Sequence, residues 1–324
     1  MFSVVIPLYN KSHTIVNTIQ TVLNQTYPDF EIVVVNDGST DNSVEVIQQH
    51  FSDSRIRIVN QQNQGVSAAR NNGVASSKYE LIAFLDGDDE LLPEFLSKMK
   101  ESVEQFPQAG MYCCAGILRF PNGTDYLRSS EKYGTSIQLI NYFENPYFFT
   151  NSSSTVIRKS AFHKTAGFPV GMKINEDLVF FCSLAFIVPV AYCPIPLSVY
   201  LKEVEGHASA VNPKMHEYIV SRVNQIYNNW EKTGKQNKMF LIFTRYELRN
   251  EIMNYLKRKD FNKVDYVLTH LDKNLLQYFP SLELLAYKIK WLRIPTIMYI
   301  YFTKLIWKSG GYPVIQYKKI SKRS

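Results

Sequence analysis

Short apolar segments alternate with segments of helical periodicity in the N-terminal part of the chain, and this alternation limits the fold more than any other feature. Four runs are predicted to be strands, the first two of them buried: Phe2–Leu8, Phe30–Val35, Arg55–Asn60 and Leu81–Leu85. Helices are predicted between them and from Pro93 onward, where proline suits a first helical turn. Because such alternation builds a doubly wound, mostly parallel sheet with helices on both faces, we predict an α/β fold.

Polar clusters follow the predicted strand ends. Asn10, Asp37 and the segments 63–70 and 86–89 each come just after one of the four strands. Ligands of doubly wound sheets bind beyond the carboxyl ends of the strands. We therefore expect the four clusters to converge at one edge of the sheet and to form one site.

The run Asp86-Gly87-Asp88-Asp89 places three carboxylates in four residues, directly after an apolar strand. Such carboxylates repel one another, and burial raises the cost of their charge. A hard divalent cation with oxygen ligands, shared with a diphosphate, would relieve that repulsion. Gly87 would let the backbone approach a ligand closely. For the run taken alone, the alternative is an acidic turn that caps the helix beginning at Pro93.

Three further features each allow a functional and a structural interpretation. Asp37 is suited to accept a hydrogen bond from a nucleobase or a ribose, or to form an Asx turn. Gly65 and Arg70 suit a diphosphate at a helix N-terminus, or an ordinary cap with a surface arginine. Glu176-Asp177 precede an apolar helix, where they provide a general base or stabilise the helix N-terminus.

Five motifs occur in an order that resembles the signatures of family 2 glycosyltransferases with the GT-A fold. They are Val4–Asn10, Val34–Asp41, Gln64–Asn71, Phe84–Asp89 and Glu176-Asp177, and the resemblance covers about residues 1–210. It implies an inverting transferase that takes a sugar from a nucleotide-diphosphate sugar, most often a UDP-sugar, with Mn²⁺ or Mg²⁺. The implied acceptor is a hydroxyl of a glycan.

The resemblance implies donor-site roles for nine residues: Pro7, Tyr9, Asn10, Asp37, Gly65, Arg70, Asp86, Gly87 and Asp88. Pro7, Tyr9 and Asp37 would contact the nucleotide base. Asp86 would lie near the ribose, and Asp88 would be the carboxylate on the metal side.

The acceptor side of the resemblance depends on fewer residues. Asp177 would be the catalytic base, and Glu176 would assist near the acceptor. His207, in a loop predicted from Leu201 to Pro213, would close over the diphosphate and add a metal ligand. The family usually has a Gly-Phe-Asp-Glu-like stretch before the acidic pair, whereas this chain has Gly-Phe-Pro-Val at 167–170.

Other functional classes fit the sequence less well. It has neither the G-x-G-x-x-G of dehydrogenases nor the P-loop motif. A GT-A-like nucleotidyltransferase is one alternative, but it would open with a glycine- and basic-rich loop where this chain has Tyr9–Ser12. A non-catalytic, membrane-associated sugar-binding protein is another, but it would require a degenerate site. The Gln-x-x-Arg-Trp sequence of processive polysaccharide synthases is absent, which favours addition of a single sugar.

The C-terminal part of the chain is basic and aromatic. After Glu283 there is no acidic residue, whereas nine Lys or Arg residues follow it. The uncharged stretch Ile294–Thr303 is shorter than the ~20 residues that a membrane span requires. We therefore predict an amphipathic segment on an anionic membrane surface. The alternative is a helix docked on the catalytic domain or on the second copy of a homodimer.

The domain prediction is a GT-A catalytic domain at 1–212 and a helical C-terminal region at 213–324. The four cysteines show no metal-type spacing, and the chain enters a strand at Phe2 with no signal-peptide pattern. These features predict a cytoplasmic protein, peripheral on the inner face of the membrane, with a lipid-linked saccharide as acceptor. No nucleic-acid-binding module is recognisable, so nucleic acid is not expected as a partner.

Overall fold

The structure, a computed structural model, describes residues 1–144, 150–202, 213–293, 295–299 and 316–320. These residues divide into two compact units. The first holds 1–140, 150–202 and 316–320, and the second holds 141–144, 213–293 and 295–299. In this division 141–144 falls in the second unit and 316–320 in the first, and the predicted domain boundary at 212/213 stays a prediction.

Strands and helices alternate at the start of the first unit, as predicted. They are β1 (Phe2–Leu8), α1 (Ile15–Leu23), β2 (Phe30–Asp37), α2 (Ser43–His50), β3 (Ile56–Gln61), α3 (Val66–Ser76) and β4 (Leu81–Phe84). β1 pairs in parallel with β2 and β4, and β2 pairs in parallel with β3. β1, β2 and β4 are buried along nearly their whole length, which explains their continuous apolar sequences.

The rest of the first unit extends this sheet. Its elements are β5 (Glu90–Leu91), α4 (Phe95–Gln105), β6 (Met111–Arg119), β7 (Asp125–Ser129), a 3₁₀ turn (Glu131–Tyr133), β8 (Gln138–Ile140), a 3₁₀ turn (Ser152–Ser154), β9 (Thr155–Arg158), α5 (Lys159–Phe162), α6 (Glu176–Ala185), β10 (Val190–Leu201) and β11 (Gln316–Ile320). β9 pairs antiparallel with β4 and β6, β10 runs parallel to β6, and β11 pairs antiparallel with β7. The predicted α/β class is confirmed, with a sheet that becomes mixed beyond β4.

Helix α3 packs unusually close to β1. A Cβ atom at Gly73 would lie 2.2 Å from Cγ1 of Val5, so a larger residue would push the helix away from the sheet. The close approach holds α3, which carries Arg70 and follows Gly65, against β1 and β2. A single glycine in the helix therefore helps to position the polar loops of the predicted site.

The second unit is helical, which confirms the predicted C-terminal helices. It contains a 3₁₀ turn (Tyr142–Glu144), α7 (Met215–Lys232), α8 (Met239–Lys257), α9 (Phe261–His270), α10 (Lys273–Leu276), α11 (Ser281–Lys288) and a 3₁₀ turn (Lys290–Leu292). The ring of Phe143 lies 5.6 Å from that of Phe240 and 5.8 Å from that of Phe243, which explains why 141–144 belongs to this unit. Among the described residues, no helix combines the length and the apolar character that a membrane span needs.

Candidate functional site

The loops after β1 and β2 are joined by Asn10. Its backbone is left-handed, with φ of 51°, and its side-chain Oδ1 accepts hydrogen bonds from the backbone N–H of Thr40 at 2.8 Å and of Asp41 at 3.3 Å. The amide of Asn10 therefore shapes the loops of the site. Next to it, Tyr9 is exposed, and its ring is accessible to a flat ligand.

Asp37 ends β2 and is almost completely buried. Its Oδ1 accepts from the backbone N–H of Gln64 at 2.9 Å and from the side chain of Gln61 at 2.7 Å, while Oδ2 accepts from the N–H of Gly65 at 2.8 Å. Gly65 has φ of 87°, a conformation that favours glycine. Asp37 thus fixes the turn before α3, and Oδ2 retains room for one more donor.

Arg70 connects the two acidic regions of the sequence. Its guanidinium donates to Oδ1 of Asp86 at 2.6 Å and to Oε1 of Glu176 at 2.7 Å, and it is buried against the ring of Phe168. Burial lowers the pKa of Arg70, but the negative charges of Asp86 and Glu176 raise it more, so the net shift is upward. The interpretation of Arg70 as a surface arginine is therefore wrong.

The carboxylate of Asp89 is an internal anchor for the acidic turn. It is buried, and its Oδ2 accepts from the hydroxyl of Ser153 at 2.5 Å. The same hydroxyl accepts from the backbone N–H of Asp86 at 3.1 Å. Burial and the negative charge of Asp86 raise the pKa of Asp89 well above its ordinary value. Asp89 therefore holds the acidic turn from inside the protein.

Asp88 is the member of the run that faces the site. Its side chain is 15% exposed, and its Oδ2 lies 2.5 Å from Nζ of Lys11. A Cβ atom at Gly87 would lie 3.3 Å from the carbonyl oxygen of Pro7, and the hydroxyl of Thr14 donates to the carbonyl of Gly87 at 2.8 Å. Gly87 thus lets the turn lie close to the end of β1, which aims Asp88 at the loop of Lys11.

Glu176 and Asp177 open α6, after Asn175 in a left-handed conformation with φ of 66°. Glu176 is buried and committed to Arg70, whereas Asp177 is partly exposed and accepts only from the adjacent N–H of Leu178, at 2.8 Å, among the described residues. Burial and the negative charge of Glu176 raise the pKa of Asp177 to about 6. A carboxylate with this pKa suits proton abstraction near neutral pH.

Few of the described side chains at the site are available as metal ligands. Among the residues that the structure describes, no three His, Cys, Asp or Glu side chains are grouped as a metal cage. Asp88 offers a hard carboxylate oxygen at the loop of Lys11, which suits Mg²⁺ or Mn²⁺ if a diphosphate and waters supply the remaining ligands. His207, predicted as a further metal ligand, lies outside the described residues.

The structure brings together residues that the sequence did not connect. Lys11 meets Asp88 across 77 positions, and Ser153 meets Asp89 across 64. Neither partner carries a local sequence signal, because each contact depends on which loops lie side by side at the sheet edge. Ser153 lies in a short polar 3₁₀ turn directly before β9, and the run of serines beside a predicted strand was the only hint of a buried polar contact there.

A family model described as "Glycosyl transferase family 2" matches residues 3–165, which is half of the chain. The chain belongs to glycosyl transferase family 2. The predicted family is confirmed, and the matched region contains the loops of Asp37, Arg70 and Asp88. Glu176 and Asp177 lie beyond it, so their roles depend on the geometry of the site.

This family 2 chain is 38% identical over 106 residues to the uncharacterized glycosyltransferase EpsJ of Bacillus subtilis (strain 168). The match covers 32% of this chain and 31% of EpsJ, so the chain matches about a third of that relative's length. The fold resembles that of S. aureus TarS 1–349 in complex with UDP-GlcNAc, with a TM-score of 0.69, 16% identity, and coverage of 98% of this chain and 97% of that one.

A second solved structure has a similar fold with a lower TM-score. The mannosyltransferase PcManGT from Pyrobaculum calidifontis, in complex with GDP-Man and Mn²⁺, matches with a TM-score of 0.53 and 16% identity. The match covers 95% of this chain and 86% of PcManGT. At these identities the two likenesses establish the GT-A-type fold alone.

Proposed function

We propose that this chain is an inverting glycosyltransferase that moves a single sugar from a nucleotide-diphosphate sugar, with a UDP-sugar favoured, to a hydroxyl of a glycan acceptor. The proposal rests on one observation: the acidic residues form two groups, one at the donor loops and one at the start of α6. Asp88 faces the donor loops, Asp177 has a raised pKa, and Arg70 links their neighbours Asp86 and Glu176.

The donor half of the proposal is supported by the loops at the ends of β1 and β2. Asp37 retains acceptor capacity on Oδ2, which suits the N–H of a uracil or a ribose hydroxyl. Tyr9, in the loop after β1, is exposed and suits stacking on a base. UDP as the nucleotide is further supported by the similar fold of TarS, which was solved with UDP-GlcNAc.

A divalent cation, Mn²⁺ or Mg²⁺, fits this donor half. Asp88 would hold it, and His207 is a second proposed ligand. When bound, the cation would neutralise charge on the departing diphosphate. Gly87 keeps the turn close to β1, so that Asp88 stays at the donor loops.

The transfer step uses the acceptor side. Asp177 accepts the proton of the acceptor hydroxyl, whose oxygen forms a bond to the anomeric carbon from the face opposite the leaving group. The bond between that carbon and the diphosphate oxygen breaks, and its electron pair leaves with the nucleoside diphosphate. A single displacement inverts the anomeric carbon, so one base is sufficient. Burial and the negative charge of Glu176, which is paired with Arg70, raise the pKa of Asp177 and so favour proton uptake.

The acceptor proposed is a lipid-linked saccharide, met at the inner face of an anionic membrane. Several large apolar side chains near the end of the second unit are exposed, including Leu282 at 81%, Trp291 at 77% and Met298 at 73%. This part of the sequence is also basic, since nine Lys or Arg residues and no acidic residue follow Glu283. An apolar surface with surrounding cations suits anionic lipid. The remainder of the predicted amphipathic segment, at 300–308, lies outside the described residues.

The function is tested with a donor panel. Purified protein is incubated with Mn²⁺ or Mg²⁺ and UDP-, GDP- or dTDP-sugars, and binding is read by thermal shift and turnover by the nucleotide released. We expect metal-dependent stabilisation by UDP and release of nucleoside diphosphate with acceptor. Release of sugar 1-phosphate, from transfer of the nucleotidyl group, would instead indicate a nucleotidyltransferase. No stabilisation by any nucleotide would refute the proposal.

The membrane surface is tested by sedimentation with vesicles of phosphatidylcholine, with and without phosphatidylglycerol. Leu282→Ser with Trp291→Ser should reduce sedimentation with the anionic vesicles. Leu139→Ser is the matched control, because Leu139 is an exposed aliphatic residue of the first unit. Equal sedimentation of all three proteins would show that the second unit does not provide the contact.

A further inference from the structure

Four of the acidic side chains at the site have a side-chain partner among the described residues. Arg70 compensates Asp86 and Glu176, and Asp89 is held by Ser153. The partner of Asp88 is the ammonium of Lys11, 2.5 Å from its Oδ2. Lys11 therefore occupies the position of a cation bound to Oδ2 of Asp88.

Hydrogen bonds at both its N–H and its carbonyl hold the backbone of Lys11, so its side chain starts from a fixed position. Its N–H donates to the hydroxyl of Ser43 at 2.9 Å, and its carbonyl accepts from the N–H of Thr14 at 3.1 Å and of Ile15 at 2.9 Å. From there the stem crosses the turn, with Cγ 3.6 Å from the position of a Cβ at Gly87. The head group is thus delivered to Asp88 by the fold.

A divalent cation and this ammonium cannot share the oxygen. Mg²⁺ binds carboxylate oxygen at about 2.0–2.1 Å, and a second positive charge on the same oxygen would be repelled at that range. The lysine is able to leave, because its side chain is 32% exposed and lysine has a long flexible stem. A nucleoside diphosphate at the same loops would offer the displaced ammonium new oxygen acceptors.

We propose that Lys11 is an exchangeable counter-ion of Asp88. It compensates Asp88 in the free protein, yields the carboxylate to the divalent cation that arrives with the donor, and then binds the diphosphate. This inference rests on the proposed function, because it assumes a metal-assisted nucleotide site. Its consequence is that Mn²⁺ alone binds weakly and that the nucleotide and the metal strengthen each other's binding.

The test is a titration of Mn²⁺ followed by the electron paramagnetic resonance signal of the free ion, with and without UDP. Lys11→Met should bind Mn²⁺ alone about tenfold more tightly than the unsubstituted chain, because the competing charge is gone. It should also show less gain in Mn²⁺ affinity when UDP is added. Lys11→Arg should keep the weak binding, and Asp88→Asn combined with Lys11→Met should lose the gain.

Lys78→Met is the matched control, because Lys78 is an exposed lysine of the same unit. Thermal unfolding of each variant establishes that it is folded. Equal Mn²⁺ affinity in Lys11→Met and the unsubstituted chain, including the case where neither binds, would refute the inference. UDP binding is measured separately, so a chain that binds UDP but shows no effect of Lys11 refutes this inference alone.

Discussion

Two buried arginines, one in each unit, show how differently the same chemistry is used. Arg70 binds two carboxylates from distant parts of the chain, and one of them, Asp86, remains 29% exposed. Arg249 binds both oxygens of Glu283 at 2.5 Å, and that carboxylate is completely buried and also accepts from the hydroxyl of Tyr287. The first arrangement lies open at an edge of the sheet, whereas the second is closed.

The acids around the two arginines differ in the direction of their pKa shifts. Burial raises the pKa of Glu283, but the hydrogen bonds and charge of Arg249 lower it more, so this carboxylate is stabilised as an anion. Beside Arg70, burial and the charge of Glu176 raise the pKa of Asp177 to about 6. A fully compensated buried charge thus stabilises the fold, whereas an under-compensated one is available for chemistry.

The largest expected effect is on catalysis at Asp177. Asp177→Asn should lower the transfer rate by about 10²–10⁴-fold, the usual contribution of a general base, and leave UDP affinity unchanged. Asp29→Asn is the control, because Asp29 is an exposed carboxylate before the opposite end of β2. Steady-state rates and UDP titrations check this outcome. A variant that retains nearly full activity would show that another group takes the proton.

A loss of stability without a loss of catalysis is expected at Glu283. Glu283→Gln leaves Arg249 buried without its anionic partner, which costs about 3–5 kcal/mol of unfolding free energy. The measurement is equilibrium urea unfolding followed by circular dichroism. Turnover per folded molecule should not change, since the described partners of Glu283 all lie in the second unit. A loss of unfolding free energy well under 1 kcal/mol would show that the ion pair of Glu283 and Arg249 does not stabilise the fold.

The smallest expected effect is a gain in stability at Asp177, in contrast to the loss expected at Glu283. The folded state raises the pKa of Asp177, so ionising it opposes folding at every pH above its ordinary value of 3.8, and fully so above about 6. Asp177→Asn removes this cost. Its melting temperature should therefore exceed that of the unsubstituted chain by a few degrees at pH 8, and the gain should shrink as the pH falls from 6 to 4. A gain independent of pH would exclude ionisation as its cause.

The sequence predicted elements and motif positions better than contacts. The strands β1 to β4 and their polar ends followed from periodicity, and the family followed from motif order. The partners of Arg70 did not, because Glu176 lies 106 positions away and reaches it only through the packing of α6 beside the site. The burial of Asp89 was equally hidden, since adjacent carboxylates look alike until the turn is folded.

The mixed half of the sheet was also harder to predict. Its strands pair across long intervals, as β9 does with both β4 and β6, and no local period reports such pairing. The stretch 203–212, with the predicted loop and His207, lies outside the described residues, so its role stays a prediction.

The pairing of β11 with β7 has a consequence for biosynthesis. Residues 125–129 leave the ribosome early, whereas their partner at 316–320 follows about 190 residues later, a delay of roughly 10–40 s at typical synthesis rates. During that interval one side of β7 exposes backbone groups to the strands of any nascent neighbour. β11 therefore closes this edge of the sheet only after it has been synthesised. Until then, β7 is open to pairing with a strand of a neighbouring nascent chain on the same polysome.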